Sequence, residues 1–121
     1  MISFQRMIES FQHALRGVRL VFVSEQSFRV QAYVAFLVIA LGAFFRVSKL
    51  EWIALLILIA SVLTLELVNS ILERLVDTFK PRIHPVVKDV KDAMAGTVLI
   101  VSFVSMLIGI IIFLPYFLVL I

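Results

Sequence analysis

The sequence predicts an all-α integral membrane protein with three transmembrane helices and an N-terminal amphipathic helix. Hydrophobic residues make up 63% of its 121 residues, whereas soluble domains contain close to half. Most of the excess lies in three apolar stretches, each near the length that crosses a hydrocarbon core about 30 Å thick. Charged residues cluster around these stretches. We therefore expect residues 1–121 to form one membrane domain, with no separate soluble domain.

The first predicted element is an amphipathic helix over residues 3–23. Its apolar residues recur at intervals of three and four, and charged residues fall between them, which is the pattern of a helix with one apolar face. A helix with basic residues on its polar side is typical of those that lie in the membrane interface. Packing against the protein's own helices is the alternative that the sequence leaves open.

The three membrane helices are expected at about 26–47, 51–79 and 90–121. Trp52 stands where an interfacial aromatic residue is common. Pro81 and Pro85 are expected to end the second helix and shape the loop that follows. The third stretch has no charged residue after Asp92, and Pro115 is expected to mark its outer end or a kink.

The net charge of +3 indicates an orientation through its placement. Four basic residues precede the first span, two follow it, and five lie at the end of the second span and in the next loop. Because basic residues favour the cytoplasmic side, the N-terminus and the second loop are expected there. The scatter of these charges disfavours nucleic-acid binding. The absence of cysteine excludes a disulfide framework or a thiol nucleophile.

The second helix contains a polar stripe in the segment LELVNSILERLVD. Asn69, Ser70, Glu73 and Asp77 lie within about 60° of Glu66 around a helix. Carboxylates at membrane depth are costly without partners, and a row of them suits a hard cation such as Mg²⁺. Glu66, the deepest, could accept a proton from a hydroxyl. The alternative is that these groups bond to neighbouring helices and fix their packing, which is the interpretation we favour for Ser70.

A second cluster, VKDVKD, precedes the third span. Lys91 and Asp92 lie level with the stripe if the two helices are antiparallel, and a lysine there could neutralise phosphate oxygens. Basic residues also flank cytoplasmic helix ends for reasons of topology alone. Glu25 is either a solvated helix-end charge or a further metal ligand. The sequence contains no glycine-rich phosphate loop and no HExxH motif.

Four segments, in order and spacing, resemble the prokaryotic diacylglycerol kinase family over nearly the whole chain: FQRMIESFQHALRG, SEQSFR, LELVNSILERLVD and VKDAMAGTVLI. The most specific pattern is ExxNSxxExxxD followed by KD about 14 residues later. KLEWI, HPVVK and IGIIIFLP look more like the undecaprenol kinase branch of that family. His13 and Gln31 depart from the diacylglycerol-specific pattern, so the acceptor lipid stays open.

This resemblance implies a homotrimeric lipid kinase with active sites shared between subunits. It implies transfer of the γ-phosphoryl group of ATP, with Mg²⁺, to undecaprenol or diacylglycerol. It also implies a bacterial inner-membrane location with a cytoplasmic active site.

The resemblance also implies roles for individual residues. Glu66 matches the general base, Asn69 a residue that orients the site, and Lys91 a phosphate contact. Glu25 and Glu73 match metal ligands. The residues matched to the nucleotide are Asp77, Asp92, Lys91, Arg6, His13 and His84.

Two other functions remain possible from the residues themselves. A small transporter could use Glu66 to bind a proton or cation, and a membrane assembly factor would use the stripe only for packing. The grouping of Glu73, Lys91 and Asp92 at one rim favours the kinase, because a proton-coupled carrier has no need of it.

Overall fold

The computed structural model describes residues 1–78 and 85–121, which are helical and contain no strand. The helices are α1 (Phe4–Ser24), α2 (Gln26–Phe45), α3 (Lys49–Thr78) and α4 (Pro85–Leu120). The last three are each long and apolar enough to cross a membrane. The predicted fold class, three membrane helices after an N-terminal helix, is therefore confirmed.

The corner between α1 and α2 consists of one extended residue, Glu25, with φ −114° and ψ 113°. Its N–H donates to the Val21 carbonyl at 2.8 Å. The Arg29 guanidinium donates to the carbonyls of Phe22 and Val23 at 3.1 and 2.6 Å. Carbonyl groups at a helix end lack partners inside the helix, so Arg29 supplies them from α2. These bonds hold Glu25 at the junction of the two helices.

Within residues 1–78 and 85–121, helix α1 is buried against the rest of the chain only near its C-terminal end. Residues 4–20 are all exposed. The side chains of Phe4 and Phe11 are among them, at 76% and 65% relative exposure. In the described residues, α1 therefore does not pack along its length against the other helices of the chain. A helix that lies in the membrane interface needs such an exposed apolar face. The interfacial location of α1 stays a prediction.

Helix α3 begins two residues before its predicted start at about 51, because side chains cap it at Lys49. The Ser48 N–H donates to Glu51 Oε1 at 2.9 Å, and the Glu51 N–H donates to Ser48 Oγ at 3.2 Å. This reciprocal capping box begins the helix at Lys49. On the other side, Arg46 takes the left-handed conformation with φ 53° and ends α2.

Helices α2 and α3 approach most closely where Gly42 meets Trp52. A Cβ added to Gly42 would lie 2.8 Å from Trp52 Cη2. We expect Gly42→Ala to destabilise the protein by about 1–3 kcal/mol, because the ring and the helix must separate. A thermal melt in detergent checks this, with Gly17→Ala as the control. A Cβ at Gly17 meets nothing within 4 Å, so the control should melt at or above wild type. A Gly42→Ala protein as stable as wild type would contradict the packing.

The three membrane helices pack in alternating directions. At one end of α3, the Tyr116 hydroxyl donates to Glu51; at the other, Lys91 pairs with Asp77. Helix α4 therefore runs antiparallel to α3. The buried apolar cluster lies near the Tyr116 end and consists of Val47, Leu55, Ile112 and Phe113.

The start of α4 differs from what the sequence led us to expect, whereas its end at Leu120 agrees with the predicted span. The helix begins at Pro85, five residues before the predicted start at about 90, since proline is tolerated in the first turn of a helix. Pro115 lies inside the helix, which continues to Leu120, so this proline does not end the span. Pro81 lies outside the described residues.

Candidate active site

The site is centred on Glu66, a carboxylate on α3 that is only 6% exposed. Seventeen residues after Lys49, it lies roughly 26 Å along the helix axis. With a hydrocarbon core about 30 Å thick taken to begin at Lys49, Glu66 lies close to its far edge. The Ser27 hydroxyl on α2 donates to Glu66 Oε2 at 3.3 Å. Burying a carboxylate with so few partners is costly, which makes Glu66 the leading candidate for a functional residue.

Two further carboxylates lie within electrostatic range of Glu66. Both Glu25 and Glu73 interact with it electrostatically. The Asn69 amide donates to Glu73 Oε1 at 3.4 Å, and Asn69 Oδ1 is buried with no hydrogen-bond partner in the described residues. The structure thus brings four predicted site residues into one group, three from α3 and Glu25 from the α1–α2 corner.

Local helix geometry and the corner explain this grouping. Glu66, Asn69 and Glu73 are spaced three and four residues apart, so they share one face of α3. Glu25 reaches them because α1 ends there and α2 packs against α3. Beside the group lies a shallow depression of about 500 Å³. Its lining residues are Glu25, Gln26, Ser27, Val30 and Gln31.

Ser70 differs from its predicted role. We expected its hydroxyl to bond to a neighbouring helix, but among the described residues Ser70 Oγ is buried with no partner. The residue is 3% exposed, so its small side chain allows the helices to approach closely.

Lys91 lies at the same end of the bundle as the carboxylates, paired with Asp77. The distance from Lys91 Nζ to Asp77 Oδ1 is 3.7 Å, and the two side chains are 35% and 54% exposed. An ion pair this exposed contributes at most about 1 kcal/mol. Lys91 can therefore exchange Asp77 for a phosphate oxygen at little cost.

The other predicted nucleotide residues are not part of this group. Arg6 and His13 are exposed on α1, and Asp92 is exposed on α4. Across residues 1–78 and 85–121, no hydrogen bond or ion pair joins their side chains to the carboxylates. His84 lies outside the described residues.

Three residues of the site region were missed from the sequence. The Ser27 hydroxyl donates to Glu66, and the Arg29 guanidinium donates to carbonyls at the C-terminal end of α1. The Arg74 guanidinium, on α3, donates to Ser24 Oγ at the same end of α1. Ser27 and Arg29 stand in the segment SEQSFR beside Glu25. The sequence signal for these two residues was their position, since polar residues at the start of an apolar span need partners.

The donors present suit a magnesium ion that is held jointly with phosphate. No three His, Cys, Asp or Glu side chains in the described part of the chain could hold a metal ion together. Mg²⁺, however, is commonly bound through one or two carboxylates plus water and substrate phosphates. On one face of α3, Glu73 and Asn69 Oδ1, which has no partner in the described residues, are oxygen donors of this kind.

Comparison with known proteins identifies the family. The model of the prokaryotic diacylglycerol kinase family matches residues 12–113. An undecaprenol kinase of Bacillus subtilis is 37% identical over 113 residues, covering 93% of this chain and 92% of that protein. A diacylglycerol kinase of Haemophilus influenzae is 31% identical over 94 residues, covering 78% and 80%. One from Synechocystis is 29% identical over 104 residues, covering 85% of this chain and 59% of that protein.

These matches confirm the resemblance predicted from the four segments and give no support to a transporter. The part of this chain that the family model matches includes Glu25, Glu66, Asn69, Glu73 and Lys91. The chain belongs to the prokaryotic diacylglycerol kinase family and is an integral membrane lipid kinase.

Proposed function

We propose that this kinase transfers the γ-phosphoryl group of ATP to the hydroxyl of undecaprenol or diacylglycerol, with Glu66 as the general base. The observation that carries the proposal is the buried Glu66 carboxylate, in the half of α3 that we propose to face the cytoplasm and within electrostatic range of Glu25 and Glu73. A lipid alcohol reaches this depth from the bilayer, and ATP reaches it from water. The names of the relatives support both acceptors.

The chemical step assigns a proton to Glu66. The acceptor hydroxyl gives its proton to the carboxylate as its oxygen bonds to the γ-phosphorus. The bond between that phosphorus and the oxygen bridging to the β-phosphate breaks, and ADP leaves. Glu66 then releases the proton to water. Ser27 orients the carboxylate through its 3.3 Å hydrogen bond.

The surrounding residues bind and neutralise the phosphates. Glu25, Glu73 and Asn69 would hold Mg²⁺, which when bound supplies charge neutralisation and orientation for phosphoryl transfer. Lys91 adds a positive charge near the same end of the bundle. Contacts of Asp77, Asp92, Arg6 and His13 with the nucleotide are proposed from the family resemblance.

The whole chain is proposed to act as one domain within a homotrimer. Large apolar side chains are exposed along all four helices, a surface that lipid and neighbouring subunits would cover. The proposed location is the bacterial inner membrane with the N-terminus and the site in the cytoplasm, supported by the distribution of basic residues.

A direct assay tests the function. Purified protein in mixed micelles is supplied with Mg²⁺ and γ-labelled ATP, and with diacylglycerol or undecaprenol in separate reactions. We expect labelled lipid phosphate with at least one acceptor, and ADP in equal amount. Folded protein that binds ATP but labels neither lipid would contradict both acceptors. Failure to bind ATP would contradict the kinase mechanism itself.

A further inference from the structure

An apolar groove of about 600 Å³ runs between α2, α3 and α4. Along α4 it extends from Ser102 to Phe117, which is about 22 Å at the rise of a helix. One leaflet contributes only about 15 Å of a hydrocarbon core about 30 Å thick. The groove is therefore longer than a single leaflet.

One end of the groove meets the candidate active site. On α2, Gln31 lines the groove one turn after Ser27; on α3, Val62 lines it one turn before Glu66. Ser27 and Glu66 are joined by a hydrogen bond. Gln31 also borders the depression that contains Glu25. The groove thus leads to the Ser27–Glu66 pair.

Polar groups of the lining are confined to this end. The Gln31 amide donates to Ser102 Oγ at 3.4 Å. Ser105 lies one turn further along, and its hydroxyl oxygen is buried without a hydrogen-bond partner in the described residues. Beyond Ser105 the lining is apolar as far as Phe117. This order, polar near Glu66 and apolar beyond, matches an amphiphile with its hydroxyl at Glu66.

We propose that the groove binds the hydrocarbon chain of the acceptor alcohol, and so makes turnover depend on chain length. The inference rests on the proposed function and specifies where its acceptor lies. A gap between helices loses dispersion contacts unless something fills it, and a hydrocarbon chain restores them without needing hydrogen bonds. A chain held there also keeps its hydroxyl beside the base, which reduces the entropic cost of reaction.

Gly109 allows the groove to be blocked without disturbing the helices. It lines the groove about midway between Ser102 and Phe117, and an added Cβ meets nothing within 4 Å. Gly109→Leu therefore fills the groove from a position where leucine is also the better helix former. Gly96→Leu is the matched control, since Gly96 is on the same helix, has the same open space and does not line the groove.

The measurement is kcat/KM across two series of acceptors, diacylglycerols and prenols, each from short to long chains. Gly109→Leu is expected to lower kcat/KM by about tenfold or more for the long members. The short members and the KM for ATP should keep wild-type values. Gly96→Leu should keep the wild-type profile throughout. The series with the stronger dependence on length identifies the class of acceptor.

Three results would overturn the proposal. An equal loss for all chain lengths, with a smaller complex by light scattering, would assign the groove to contact between copies of the chain. An unchanged length profile in active Gly109→Leu enzyme would reject the groove while leaving the kinase intact. Wild-type protein that phosphorylates no alcohol would reject the proposed function together with the groove.

Discussion

Glu66→Gln is expected to lower lipid phosphorylation by about 10²- to 10⁴-fold, the usual contribution of a general base. The amide cannot accept a proton from the acceptor, yet it has nearly the same size and can still accept the hydrogen bond from Ser27. Removing a buried charge also relieves a desolvation cost, so the protein should remain folded. Initial rates with each lipid in mixed micelles, alongside a thermal melt, test both statements.

The matched control is Glu51→Gln at the opposite end of the same helix. Glu51 accepts bonds from Tyr116 and from the Ser48 N–H, and is remote from Ser27. We expect this variant to turn over normally and to be somewhat less stable. A Glu66→Gln enzyme with more than about a tenth of wild-type activity would remove Glu66 from the role of base.

Glu73→Gln is expected to lower activity by about 10²- to 10³-fold, the range seen when one transition-state charge contact is lost. Glu73 accepts a bond from Asn69 and lies near Glu66, so glutamine preserves the packing while removing a metal-binding charge. Rates should recover in part at higher Mg²⁺ concentration. Binding of Mn²⁺ in the presence of ATP, followed by electron paramagnetic resonance, should weaken in parallel.

Glu9→Gln, which removes an exposed carboxylate from α1, is the control for net charge. It should bind Mn²⁺ and turn over as wild type does. If Glu73→Gln binds Mn²⁺ with unchanged affinity, the carboxylate is not a metal ligand, and lost activity would then reflect the geometry of Asn69 and Glu66.

The sequence by itself determined the helical architecture and the polar stripe. Both depend on local properties: apolar length decides which segments can span a bilayer, and 3.6 residues per turn place Glu66, Asn69 and Glu73 on one face. The capping box of Ser48 and Glu51 is equally local, although the predicted start of α3 did not make use of it.

Only the tertiary structure decided which groups meet that stripe. The Ser27–Glu66 bond joins residues 39 apart in the chain, and Lys91 reaches Asp77 from another helix. Such contacts depend on the register of one helix against its neighbour, which apolar periodicity leaves undetermined because many registers bury similar surfaces. The groove beside Glu66 has the same origin, since its walls come from three helices whose spacing no single segment specifies.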